Sequence, residues 1–158
     1  MTINMNELPR GGTVCLSQGG LAEGTNDSTI KILALNGAGI DFAIKGILYH
    51  KASTDNIDPT ACAVQADDTT CLYLVTLTTA GVVDTIKGTE VTSASLTAGT
   101  NVLRWPTPAV DTCAFGAFKI ATDGATFTVG TDDLTDDISG GSVVYYDLFG
   151  VPVAPLTS

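Results

Sequence analysis

The sequence predicts an all-β fold, a single β-sandwich or barrel of about seven to nine short antiparallel strands. Three observations carry this. Apolar and polar residues alternate through 28-STIKILALN-36 and 40-IDFAIKGILYHK-51, the two-residue period of a strand with one buried face. In 71-CLYLVTLTTAGVVDTIKG-88 two β-rich runs flank Ala80-Gly81, which reads as a hairpin. No segment repeats its apolar residues at the helical period over three turns, and the links are rich in Thr, Ser, Gly, Asp and Pro.

Taken in order, residues 1–27 read as an extended N-terminal arm. They hold Pro9, two Gly-Gly pairs and the polar run 24-GTNDS-28, with one apolar island, Val14-Cys15-Leu16, suited to docking. The β-domain is expected over 28–150. Its first strand places Ile30, Ile32 and Ala34 on one face and Lys31, Leu33 and Leu35 on the other. The next sets Ile40, Phe42 and Ile44 against Asp41, Ala43 and Lys45, with Gly46 predicting a bulge. Further strands are expected at 89–92, 101–105, 113–122, 125–130 and 142–148. The tail 151–158 follows, with two prolines and the apolar pair Val151 and Val153, and is expected to lie extended along a surface.

At 158 residues the chain is the size of one domain. Charged residues make up only 15%, against a typical share of about 25%, so apolar surface is expected to remain uncovered and to mark contacts. Seventeen acids against seven bases give a net charge of −10. The bases are scattered singly, which excludes the clustered phosphate neutralisation that nucleic-acid binding needs and a polybasic anchor on an anionic membrane. The first residues, MTINMNELPRGG, have neither a basic nor an apolar signal region, and no apolar run is long enough to span a bilayer. Synthesis in a cytoplasm without a secretory leader is the expectation.

Catalytic chemistry is hard to place. The single histidine, His50, stands in a strand-like segment, and no serine lies in a GxSxG elbow. The run 131-TDDLTDD-137 puts Asp132, Asp133, Asp136 and Asp137 within reach of a calcium ion. It lacks the spacing of a calcium loop, so a solvated turn is the simpler reading. Gly37-Ala38-Gly39 leads into another strand, so there is no helix N-terminus for a phosphate. No cofactor is expected. Trp105, Tyr145 and Tyr146 are candidates for a sugar platform, although Trp105 in LRWPTP reads first as a core or interface anchor. The four cysteines, Cys15, Cys62, Cys71 and Cys113, have neither zinc-site spacing nor CxxC spacing. For 58-DPTACAVQADDTTC-71 this leaves buried thiols or a disulfide.

The segments 47-ILYHKASTDNI-57, 61-ACAVQADDTTCLYLVTLTTAGVV-83, 114-AFGAFKI-120, 125-ATFTVGTDDL-134 and 143-VVYYDLFG-150 follow one another in an order that resembles a group of tailed-bacteriophage virion structural proteins of similar length. The resemblance spans roughly residues 45–148 and rests on strand and turn signatures. It departs in the acidic pairs Asp132-Asp133 and Asp136-Asp137, and it leaves out the arm. It implies a non-enzymatic virion protein, most simply a capsid decoration or cement protein with the major capsid protein and further copies of itself as partners. The alternative it implies is a head or tail fibre domain that contacts host glycan. Val14, Leu16, Trp105, Val151 and Val153 are then the interface candidates. A virion also exposes the mature protein to an oxidising medium, where a Cys62–Cys71 bridge becomes an expectation.

Overall fold

The computed structural model describes residues 12–33, 35, 38–134 and 141–148. Eleven strands, all paired antiparallel, form three sheets, and no barrel closes among the described residues. The all-β class stands, with an arrangement consistent with a sandwich.

The central sheet is built on β7 (Thr69–Thr78) and β10 (Thr112–Ala121), paired along nearly their whole length. β8 (Val83–Lys87) and the short β9 (Val91–Thr92) pair with β7, and β11 (Ser142–Asp147) pairs with β10. The expected hairpin at Ala80-Gly81 is present: the Gly81 N–H donates to Thr78 O, and Gly81 takes a φ of 71°. One face of this sheet presents Cys71, Tyr73, Val75, Leu77, Phe118 and Ile120, each at most 1% exposed. Against it lie two three-stranded sheets. One is ordered β1 (Val14–Cys15), β4 (Ile40–Ile44), β5 (Ile47–Lys51), and the other β2 (Leu21–Glu23), β3 (Ile30–Ile32), β6 (Thr54–Ile57). The predicted faces hold: Ile30, Ile32, Ile40, Phe42 and Ile44 all enter the core.

The opposite face of the central sheet also buries Leu72, Leu74, Thr76 and Ala117. It is crossed by segment 101–111. Pro106 and the Arg104 carbonyl stand beside Gly88 at one border, and Trp105 meets Tyr146 at the other. The strand expected at 101–105 is therefore not a strand but a strap. Pro106 and Pro108 lack the N–H that a ladder requires, and apolar side chains there find a sheet face to cover instead.

Other expectations are corrected by particular contacts. Residues 12–27 are no free-standing arm: Val14–Cys15 pairs with Phe42–Ala43, Leu21–Glu23 pairs with β3, and Cys15 and Leu21 are core residues. Short segments with few apolar residues look unstructured alone but gain their ladder from distant strands. Gly46 marks no bulge. Lys45 (φ 53°) and Gly46 (φ 79°) form a two-residue turn between Ile44 and its partner Ile47, a conformation that matches strand twist and needs positive φ twice. The run 125–130 contributes one bridge, Phe127 to Gln65, and no strand. A single helical turn, α1 (Ser93–Thr97), appears where none was expected, capped by the Thr92 hydroxyl and ended by Gly99 (φ 66°). No helix among the described residues is long and apolar enough to cross a membrane.

Candidate interaction surface

Two ends of the central sheet differ in chemistry. β7 is ten residues long, which at about 3.3 Å per residue separates the ends by roughly 30 Å. At the Thr78 end the β7–β8 turn, the loop before β10 and the β4–β5 turn converge. The Lys45 ammonium bonds Asp111 at 2.6 Å, and the Lys51 side chain passes beside Gly81. β5 is thereby strung across this end. Next to these anchors stand four of the five most exposed large apolar residues of the described chain: Ile47 (59%), Leu48 (71%), Val82 (59%) and Val110 (87%). Aliphatic side chains left in water at adjoining tips form a patch that association would cover.

The Thr69 end is acidic. Asp67, Asp68 and Asp123 are exposed there, and the Asp67 carboxylate accepts the N–H groups of Asp68 and Gly124, tying two turns together. Gln65 extends this end across the core face. Its amide donates to Thr69 O and Ile120 O, and its bridge to Phe127 leads into the loop that carries Asp132 and Asp133. Asp132 accepts the Thr128 N–H while its own N–H returns to Thr128 O. That is a self-satisfied turn, and no group of three metal-ligating side chains occurs among the described residues. Asp136 and Asp137 lie outside the described residues.

The predicted interface residues divide. Val14 stands opposite Ala43, which stands opposite Leu48, so a row of apolar side chains runs over the outward face of the β1–β4–β5 sheet, with exposed Leu16 beyond it. Trp105 is half-buried and meets Tyr146 edge to face, 5.9 Å between ring centroids. Tyr145 does not join that pair. Alternation along β11 turns it inward, where its ring packs near Phe118 and its hydroxyl donates to Leu134 O. Val151 and Val153 lie outside the described residues.

His50 is paired with Asp41 across β4 and β5, Nδ1 to Oδ1 at 2.7 Å, with both side chains about half or more exposed. Ser17 sits on the other side of β4, its hydroxyl accepting the Asp41 N–H. The three types of a catalytic triad are thus neighbours, but the carboxylate is in water and the strand lies between serine and imidazole.

The four cysteines are free in this structure, Cys62 and Cys71 among them. Cys62 lies on a segment laid over the outer edge of β8, its thiol donating to Thr85 O. Cys71 is in the middle of the sheet and donates to Gly88 O. Each thiol already donates to a backbone carbonyl, Cys62 to Thr85 in β8 and Cys71 to Gly88 just after it. Burial pushes Cys71 and Cys15 up to about 11 and raises Cys62 as well, which leaves all three protonated and poorly nucleophilic near neutral pH. An open groove of about 660 Å³ runs here, lined by Cys62, Thr85, Lys87 and Glu90 among others. Its charges are spent internally: Lys87 donates to Ala63 O, Val64 O and Glu90 Oε1, and Glu90 Oε2 accepts the Ala66 N–H.

Sequence reasoning missed Gln65, wholly buried under the Tyr73 hydroxyl, because a polar residue in a turn-rich segment reads as surface. It also missed the patch. Ile47 and Leu48 fitted a strand pattern, and nothing local said that Val82 and Val110 would join them. Compared with known protein families, characterised proteins and solved structures, the chain matches none.

Proposed function

We propose that this chain is a non-enzymatic structural protein of a tailed-bacteriophage virion, a capsid decoration or cement protein that stabilises the head. Its partners in this reading are the major capsid protein and other copies of itself. The observation that carries it is the polarity of the domain: an apolar end with internally paired charges and an acidic end about one strand-length away. An apolar end suits contact with a protein shell, and burying it contributes about 25 cal/mol per Å² before ordering costs. An acidic end suits the outside of a particle, where it repels other particles and keeps away from packaged nucleic acid. The sequence resemblance to phage virion proteins points the same way.

The test is removal and return. Particles lacking the protein should lose thermal and osmotic resistance and regain it when the protein is added back. The Val110→Asp, Ile47→Asp double variant should fail to restore it. Particles that are equally resistant without the protein would sink the cement reading. A second reading, a fibre domain contacting host glycan, is favoured by the half-exposed Trp105–Tyr146 pair. Tens of copies per particle, with glycan binding lost in Trp105→Ala, would select it over decoration.

A further inference from the structure

We infer that the outer edge of β5 is a pairing edge for a second copy of this chain, joined antiparallel about a two-fold axis at Tyr49. The inference stands apart from the virion reading and would survive its failure.

The two-residue turn sets the phase. Ile44 and Ile47 close the hairpin as a hydrogen-bonded pair, so Ile47, Tyr49 and Lys51 direct their backbone groups at β4. Leu48 and His50 direct theirs outward. No described residue bonds those outward groups. The ladder from Ile40–Lys51 to Ile44–Ile47 runs without a bulge, and β5 holds no proline.

The other edge strands of four residues or more each carry an identifiable device. At β8 the Cys62 thiol occupies Thr85 O, the Asp84 carboxylate occupies the Thr85 N–H, and Lys87 holds residues 63–64 alongside. At β11 the Leu21 N–H of β2 donates to the Asp147 carboxylate. β6 is bent by Asn56 (φ 52°), and Asp55 and Asn56 are engaged by Thr25 and Asn26. Such closures are how sheets avoid adding strands, and β5 has none over its middle. Its exposed side chains are Ile47, Leu48 and His50.

A second copy fits this edge better than a charged partner. On a chain of net charge −10, the edge is locally balanced: Lys45 is paired with Asp111, and Lys51 and Asp41 offset one another on the β4–β5 hairpin. Two copies therefore meet here without the like-charge repulsion that the acidic end would impose, whereas a basic partner would be drawn to that end. The geometry is self-complementary. With Tyr49 on the axis, Leu48 pairs with the partner's His50 and His50 with the partner's Leu48, and each pair exchanges two backbone hydrogen bonds. The two sheets become one continuous sheet, and the Tyr49 rings face each other across it.

The test is sedimentation velocity on the full chain over a range of concentrations, paired with amide hydrogen exchange. The expected result is a monomer–dimer equilibrium in which the Leu48 and His50 amides gain protection as concentration rises. Leu48→Lys should stay monomeric with an unchanged thermal midpoint, since residue 48 is exposed and outside the core. A chain that is monomeric throughout overturns the inference. So does a dimer that forms without protection at those amides or persists in Leu48→Lys. Protection that appears only on adding another virion protein overturns it in favour of a partner of a different kind.

Discussion

The Lys87 ammonium and the Glu90 carboxylate meet at 2.5 Å, three residues apart, and between them fasten a whole segment to the edge of the central sheet. Lys87 spends its other protons on Ala63 O and Val64 O, while the second Glu90 oxygen takes the Ala66 N–H. Both side chains are more than two-thirds covered. Lys87→Met keeps the stem and removes three charge-assisted donors. It should cost about 2–3 kcal/mol, because two carbonyls and a carboxylate lose their partner. Urea unfolding of the two proteins checks this, and an unchanged midpoint would refute it.

The same pair sets an acid dependence. Burial alone would raise the Glu90 carboxyl, but the Lys87 hydrogen bond and the Ala66 N–H outweigh it and hold the group below its usual range. A folded pKa below the unfolded one means stability that is complete above about 4.3, the ordinary glutamate value, and is lost as pH falls through the folded pKa. Thermal midpoints measured from pH 6 downwards should therefore fall less steeply in Glu90→Gln than in the parent.

Two buried hydroxyls on the core face should respond oppositely to removal. The Tyr73 hydroxyl donates to Gln65 Oε1, so Tyr73→Phe strands a buried acceptor and should cost about 1–2 kcal/mol. The Thr85 hydroxyl is buried with no partner among the described residues. Thr85→Val keeps the shape, removes the unsatisfied group and should be neutral or stabilising by about 1 kcal/mol. Guanidinium unfolding of both variants gives the two signs.

Glycine matters for different reasons on the two sides of β4. At Gly46 a Cβ would meet nothing, so Gly46→Ala should cost only the positive-φ penalty of about 1–2 kcal/mol. At Gly39 (φ 105°) a Cβ would lie 2.2 Å from Lys51 O and 2.8 Å from Ala52 backbone. Gly39→Ala must therefore push β5 away and should be the more damaging by a clear margin in thermal unfolding.

Thiol titration follows the burial order. In the folded protein Cys62 should react first with a disulfide reagent, and slowly because its thiol is held protonated, while Cys15, Cys71 and Cys113 wait for unfolding. All four should titrate in denaturant without reductant. Only two would restore a bridge.

The sequence by itself determined the β class, the inward faces of β3 and β4, the β7–β8 hairpin and the acidic, sparsely charged surface. Those follow from two-residue periodicity, glycine at a turn and composition, which act locally. Tertiary structure alone decided the rest. Val14–Cys15 became a strand because Phe42 and Ala43 offered it a ladder, and 101–111 became a strap because the sheet face over Leu72 and Leu74 needed cover. The patch of Ile47, Leu48, Val82 and Val110 exists because Lys45 reaches Asp111 and Lys51 lies by Gly81. Partners tens of residues apart leave no trace in a local pattern, since a residue's neighbours in space are chosen by how sheets stack. The loop 58-DPTACAVQADDTTC-71 illustrates this most plainly: its cysteine spacing allowed a bridge, but Cys62 lies over the outer edge of β8 and Cys71 in the middle of the sheet, each donating to a different carbonyl.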